Sequence, residues 1–337
     1  MRIRLVRLAC FSVSLVLSFL SAHADDDSES FYRGRTVSLL ISSGEGGGYD
    51  IAARLIADHL SRHIAGRPTI LPQYMPGASG IRAADYLFNV ARRDGSVLSV
   101  PQPSILFNKL VDPTMRFEPE KFLWIGRLSG LKTYGIAWRG KTDTIETIRS
   151  HEFTLAAAQG TGTGAIVSAA LSQLAGLKLK VVKGYKSVSE SALALERGEV
   201  QGISSVSLEF LDNKGWTKDG PVRILYVVGL SRNPRLPDVP TIIELADDIK
   251  AVETMKIIAV SSEIGRSLIG PPDLGERGKV LRKAFDDLVL DPAFLSDARR
   301  RHVDIDTASG LELQELVSSV MRAPADTIEK ARVLLVQ

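Results

Sequence analysis

The sequence predicts an α/β protein of two lobes, each a mostly parallel sheet flanked by helices. Three observations carry that expectation. Short apolar runs alternate with segments of helical period. The alternation happens twice, first from residue 37 and again from residue 153. Glycine- or proline-rich turns follow the strands, as in βαβ chains that build a parallel sheet.

Residues 1–24 precede the fold and read as a signal peptide. Arg2, Arg4 and Arg7 form a positive leader, residues 8–20 an apolar core, and Ala22-His23-Ala24 a cleavage motif. The apolar run is too short and wrongly flanked for a stable span, so no membrane insertion is expected of the mature chain. The single cysteine, Cys10, lies at the start of that core. Cleavage after Ala24 leaves no cysteine, and a chain of this length can bury a large core without disulfides. The net charge of +3 is matched by the three leader arginines. The remainder is neutral, which removes any electrostatic case for nucleic acid or an anionic membrane.

Residues 25–30 read as an acidic, disordered leader to the first strand, 37–41. That strand ends in Ser42-Ser43-Gly44-Glu45-Gly46-Gly47-Gly48-Tyr49-Asp50, and Ile51, Leu55, Ile56, Leu60 and Ile64 then recur at helical spacing. Glycine lets another group approach the backbone closely. Asp50 is the expected N-cap of the helix. Free amides and the helix dipole together favour an anion at such a turn. A second strand, 68–74, runs into Met75-Pro76-Gly77-Ala78-Ser79-Gly80 and a helix with Ile81, Ala84, Leu87, Phe88 and Ala91 on one face. A third, 97–100, ends at Pro101-Gln102-Pro103-Ser104. The βαβαβ order predicts right-handed crossovers, with ligands at the carboxyl ends of the strands.

The middle of the chain repeats the theme. After 136–138 come a strand at 153–158, the loop Gln159-Gly160-Thr161-Gly162-Thr163-Gly164 and a helix at 165–174. Strand 180–182 leads to Lys183-Gly184-Tyr185, a helix spans 189–197, and a short strand follows Gly202. A long apolar strand covers 222–228, and the turn 235–241 precedes a helix starting at 242. The remainder reads as mostly helical, at 279–290, 292–301, 311–321 and 325–335, with Pro292 and Ser309-Gly310 as helix starts.

With both loops placed, the chain resembles the extracytoplasmic substrate-binding proteins of tripartite tricarboxylate transporters, the Bug or TctC-like family. The resemblance runs through nearly the whole mature chain. It rests on Phe31-Tyr32, Gly46-Gly47-Gly48-Tyr49-Asp50 with Ala53-Arg54, Pro76-Gly77-Ala78-Ser79-Gly80, Arg93-Asp94-Gly95 and Gly160-Thr161-Gly162-Thr163. It continues through Gly184-Tyr185, Glu196-Arg197-Gly198-Glu199-Val200 and Pro237-Asp238-Val239-Pro240-Thr241.

The resemblance implies a type II periplasmic-binding-protein-like fold: two lobes with a ligand cleft between them. Lobe one would be 25–136 and 258–337, and lobe two 137–257, with crossings near 134–138 and 228–260. It also implies a small organic carboxylate solute, no cofactor, a monomer in the periplasm and the membrane subunits of a secondary transporter as partners. Carried over by position, the contacts in lobe one are Ser43, Gly46, Gly47, Gly48, Asp50, Gly77, Ala78 and Gly80. Those in lobe two are Gln159, Thr161, Gly162, Thr163 and Tyr185, with Ser204 and Ser205 at the following strand end. Two departures stand out. Glu45 puts a negative charge into the first loop; its side chain either turns to solvent, the favoured arrangement, or faces inward to receive a cationic or hydroxyl group of the ligand. Gln201 stands where the family commonly carries aspartate.

Other chemistries fit less well. His59 and His63 sit four apart on the first helix without the acidic residue of a zinc-protease helix, and a surface or flank role is expected. Gly160-x-Gly162-x-Gly164 has the wrong spacing for a dinucleotide fingerprint, and no acidic residue ends the next strand. Ser79 lacks the frame of a nucleophile elbow, so an exported hydrolase has no nucleophile–base pair. Trp124, Trp138 and Trp216 read as core or hinge residues. The expected work is capture by lobe closure and delivery to a transporter. A ligand-dependent accessory to a membrane sensor is the alternative.

Overall fold

The computed structural model describes residues 28–336 except 46–47, 141–142, 159–162, 186 and 218. The signal-peptide reading and part of both glycine loops therefore lie outside the described residues. Residues 28–32 are helical rather than disordered, because Tyr32 is buried in the first core and Phe31 packs against it. Chain order then begins with β1 (Thr36–Ile41), α1 (Gly48–Leu60), β2 (Thr69–Tyr74), α2 (Ile81–Asn89), β3 (Val97–Val100) and α3 (Ser104–Val111). It continues with β4 (Leu123–Ser129), β5 (Thr133–Trp138), α4 (Ile145–Ser150), β6 (Phe153–Ala158), α5 (Thr163–Leu174) and β7 (Leu179–Tyr185). Then come α6 (Val188–Glu196), β8 (Gly202–Ser207), α7 (Leu208–Asn213), β9 (Val222–Val228), α8 (Ile249–Ile264) and β10 (Arg266–Gly270). The chain finishes with α9 (Gly275–Leu288), α10 (Pro292–Arg300), β11 (Ala308–Ser309), α11 (Gly310–Met321) and α12 (Ala325–Val336).

Two sheets form, ordered β11-β4-β10-β3-β1-β2 and β7-β6-β8-β5-β9. In the first, β1 runs parallel to β2 and β3, whereas β10 inserts antiparallel between β3 and β4. In the second, β6 runs parallel to β7 and β8, and β5 inserts antiparallel between β8 and β9. Each sheet is thus mixed rather than mostly parallel in its pairing: most strands share one direction, one interior strand is reversed in each, and the edge strand β11 is also reversed in the first. Parallel neighbours need a helical crossover. β5 follows β4 of the first sheet and β10 follows α8 of the second unit, so each reversed strand enters its sheet where the chain passes from one unit to the other.

The first unit holds the described residues up to Ile105, Arg116–Ser129 and Arg266–Glu315; the second holds Leu106–Met115, Gly130–Gly265 and 316–337. The boundaries differ from the expected crossings. The 134–138 segment lies wholly in the second unit because β5 is paired on both edges, with β8 and β9. Residues 316–337 also fall in the second unit, where α12 packs on α8 and α5. Helical periodicity shows that a segment is a helix with an apolar face, but not which partner covers that face.

The first core joins Val37, Leu39 and Ile41 of β1 to Leu55 and Leu60 of α1, Leu268 of β10, Phe285 of α9 and Phe294 of α10. The second unit packs both sides of its sheet. Phe153, Leu155, Leu171, Tyr226 and Ile258 fill one side, and Tyr134, Ile136, Ile203, Trp216 and Val227 the other.

Candidate functional site

β1 buries Val37, Leu39, Leu40 and Ile41, so the sheet fixes where the following loop starts. Ser42 is buried and donates its hydroxyl to the Val100 carbonyl at 2.8 Å. Gln102, just past β3, donates its side-chain amide to the Ser42 carbonyl at 3.1 Å. These bonds fasten the loops after β1 and β3 side by side. Ser43 is half-buried and Glu45 exposed, as expected of a charge that turns to solvent. Gly46 and Gly47 lie outside the described residues.

α1 begins at Gly48, so Asp50 is already inside its first turn and is not the N-cap. The Asp50 carboxylate is buried; its Oδ1 accepts from the Tyr74 hydroxyl at 2.8 Å and from Arg54 Nε at 2.9 Å. Arg54 Nη2 also donates to the Tyr74 hydroxyl. Burial and the Asp50 carboxylate push the Tyr74 phenol above its usual range, so the hydroxyl stays a donor. Asp50 thus ties α1 to the end of β2, while its charge still suits the positive end of the helix.

The loop after β2 is bent at three described residues: Gly77 at φ 143°, Ala78 at φ 44° and Gly80 at φ 89°. A non-glycine residue held left-handed costs on the order of 1 kcal/mol, and such residues cluster at binding loops. A methyl group on Gly80 would lie 3.2 Å from Gln102 Cβ. Gln102 therefore meets both neighbouring loops, a role with no signature in its tripeptide.

One further residue reaches this edge from far along the chain. Arg266 opens β10, and a methyl group on Gly48 would sit 2.7 Å from its Nη2. Its Nη1 donates to Ser129 Oγ at 3.0 Å. Burial raises the adjoining Tyr49 phenol well above its usual range, while the Arg266 charge pulls the other way. The sequence reading missed Arg266 because it did not recognise β10 as a strand. The available signal was the run Ser267-Leu268-Ile269 after Gly265, which ends α8 at φ 46°.

The second unit has its own carboxyl edge. Gln159, Thr161 and Gly162 lie outside the described residues, and α5 starts at an exposed Thr163. A methyl group on Gly164 would lie 2.4 Å from Ser204 Oγ, so only glycine lets β8 and the start of α5 approach this closely. Ser204 is fully buried: its hydroxyl donates to the Ala156 carbonyl at 3.1 Å, and its carbonyl accepts from the Tyr226 hydroxyl at 3.0 Å. That hydroxyl is engaged in packing, whereas Ser205 and Tyr185 are half-buried. Tyr185 follows Gly184, which holds φ 111° at the end of β7. Thr133, first in β5 and paired with Ser207 at the end of β8, has a buried hydroxyl with no partner among the described residues.

Further residues singled out in the sequence are placed by contacts elsewhere in the fold. Gln201 precedes β8, at the opposite edge, and its Oε1 accepts from the Thr154 amide at 2.8 Å. It trims the start of β6 rather than facing a ligand. His59 is buried, with Nε2 2.9 Å from Asp297 Oδ2 and Nδ1 3.1 Å from Arg62 Nη2. It is a packed member of an ion network, not a surface residue. His63 lies 3.2 Å from Asp291 Oδ2 and anchors the other end of α10 in the same way. Among the described residues no group of three or more His, Cys, Asp or Glu side chains could hold a metal ion, and no helix is long and apolar enough to cross a membrane.

No protein-family profile matches the chain. It is 27% identical over 264 residues to the UPF0065 protein in the gbd 5'region of Cupriavidus necator, covering 75% of this chain and 76% of that protein. It is 22% identical over 298 residues to a UPF0065 protein of Bordetella bronchiseptica, covering 84% of this chain and 80% of that protein. Among solved structures it is similar to a TctC solute-binding protein from Polaromonas without ligand, at TM-score 0.69 and 20% identity over 90% of this chain and 99% of that one. A protein of R. palustris solved with adipate gives TM-score 0.59 and 21% identity, covering 89% and 97%. MatC from Rhodopseudomonas palustris with bound malate gives 0.57 and 19%, covering 89% and 99%. The chain thus has the two-lobed fold of the TctC-type solute-binding proteins.

Proposed function

We propose that this protein is a periplasmic solute-binding protein of the Bug or TctC kind that captures a small organic carboxylate. One observation carries the reading. At the carboxyl edge of the first sheet, Ser42 and Gln102 tie the loops after β1 and β3 together, Gly80 packs against Gln102, and α1 begins at Gly48 beyond the first of these loops. Free amides at a helix start are a ready site for an anion. The adipate and malate held by two proteins of the same fold are anions of that kind. Ser43, Gly46, Gly47, Gly48, Gly77 and Ala78 are the proposed contacts of the first unit. Thr163, Tyr185 and Ser205, together with Gln159, Thr161 and Gly162, are proposed for the second. Asp50 serves by holding the loop, and Ser204 by packing. The work is capture without chemistry, followed by delivery to the membrane subunits of a tripartite tricarboxylate-type transporter.

Ligand at about 100 times its Kd should stabilise the native protein by roughly 2.7 kcal/mol. The test is a thermal-shift and calorimetric screen of adipate, malate, other small mono-, di- and tricarboxylates and uncharged solutes. A carboxylate that raises the melting temperature supports the proposal; a response to uncharged solutes alone overturns it. Co-purification with a transporter membrane subunit checks the delivery step.

A further inference from the structure

Two arginines lie in the strands of the first sheet and a third on α9, and their surroundings differ. Arg127 of β4 is buried and satisfied: Nε donates to the Asp306 carbonyl at 3.0 Å, and Nη2 meets Asp306 Oδ2 at 3.3 Å. Arg282 of α9 donates to the Trp124 carbonyl at 2.8 Å and to Gln314 Oε1 at 3.2 Å. Arg266 is half-buried, and its described bond is the one to Ser129 Oγ. Its Nε is buried without a hydrogen-bond acceptor, and no described carboxylate pairs with it.

That arrangement costs stability. A cation partly out of water needs a counter-charge, and a buried donor left unmade carries its full desolvation cost. The start of α1 makes matters worse, because the helix dipole there is positive. Topology explains how the group arrives. β10 runs antiparallel to β3, with Ile269 beside Ser99, so its first residue lies level with the end of β3 and the Gln102 loop. Gly48 permits the approach, since a methyl group there would be 2.7 Å from Nη2 and 3.3 Å from Nε.

We propose that Arg266 is the charged anchor of the carboxylate site. Its free guanidinium N–H groups pair with one ligand carboxylate, which also meets the amides opening α1. The proposal rests on the carboxylate-capture reading above and deepens it. The site selects ionised carboxylates over their amides, because planar guanidinium matches a carboxylate in charge and shape. The ligand supplies the counter-charge that no described carboxylate does.

The test is calorimetric titration of wild type, Arg266→Gln and Arg266→Lys with adipate, malate and the neutral diamide of adipic acid. Wild type should prefer the dianion to the diamide. Arg266→Gln should weaken carboxylate binding at least about tenfold, equivalent to about 1.4 kcal/mol, and Arg266→Lys should recover part of that loss. Without ligand, Arg266→Gln should melt at or above the wild-type temperature, because it removes an uncompensated cation. Wild-type affinity in folded Arg266→Gln overturns the anchor and leaves carboxylate capture standing. Failure of wild type to bind adipate, malate or any other small carboxylate at millimolar concentration overturns both. Should Arg266→Gln fail to fold, Gly48→Ala displaces Nη2 without removing the charge. A loss of at least about threefold then supports the anchor, and unchanged affinity overturns it.

Discussion

The two units solve one topological problem with different chemistry. Each takes a strand that arrives from the other unit and inserts it, reversed, among strands that mostly share one direction: β10 in the first, β5 in the second. Reversal puts the first residue of each at the carboxyl edge of its sheet. In the first unit that residue is Arg266, and in the second it is Thr133. Both have a buried polar atom with no partner among the described residues. One is a charge and the other a hydroxyl. Equivalent backbone positions can therefore divide the labour of an edge. A guanidinium can anchor an anion, whereas a hydroxyl can only add a directional bond.

The units also differ in their ion pairs, and the largest predicted effect comes from that contrast. Asp297 is buried among His59, Arg300 and Arg301, and their hydrogen bonds hold its carboxyl down at about 2. Asp297→Ala should therefore cost about 3 kcal/mol in chemical unfolding, because it removes the buried acceptor shared by His59 and two partly exposed arginines. A depressed carboxyl stabilises the fold above its unfolded pKa near 4. That contribution is lost as the pH falls from there towards 2. Asp297→Asn should flatten the acid limb of the stability curve. In the second unit, Arg232 and the Thr241 amide hold Glu244 at about 2 as well. That pair is about half exposed, so solvent screening reduces Glu244→Gln to less than about 1 kcal/mol. Equal losses at the two sites would show that burial does not separate the units.

The next largest effect contrasts two glycines at helix starts. Gly164→Ala drives a methyl group to 2.4 Å from the buried Ser204 hydroxyl and 3.3 Å from Ser205 Cβ. Overpacking of that kind costs about 1–3 kcal/mol. Gly48→Ala meets only the far end of Arg266, so its melting temperature should stay close to that of wild type. Thermal unfolding of the two variants side by side checks this, and a reversal of their order would contradict the packing described for β8.

Asp50→Ala follows. Losing the bond from Tyr74 and a part-buried pair with Arg54 should cost about 1–2 kcal/mol. Asp50→Asn should cost less, because an amide oxygen can still accept from Tyr74. Urea titration of both variants distinguishes the bond from the charge. The smallest effect is expected at Glu45. Its side chain is exposed, so water and salt screen it from a bound anion. Glu45→Gln should change adipate affinity by less than about twofold in calorimetry, and a tenfold gain would place the charge inside the site.

Features encoded within a few residues were legible in the sequence. Strand β6 at Phe153–Ala158 and strand β9 at Val222–Val228 are apolar runs between polar breaks, and the structure has them at those bounds. The glycine loops before α1 and α5 stood out because a short apolar run gives way there, across a glycine-rich turn, to helical period. Contacts between distant segments had no such signal. Leu123–Ser129 and Arg266–Gly270 are short, contain arginine or glycine, and become strands only because neighbours accept them on both sides. Asp50 looked like a cap until Tyr74 came within reach, and His59 looked superficial until Asp297 arrived on α10. Packing at long range is likewise what stands Arg266 beside Gly48. Local periodicity specifies an element and its apolar face, while the identity of the charge opposite a loop depends on which strand inserts there and in which direction.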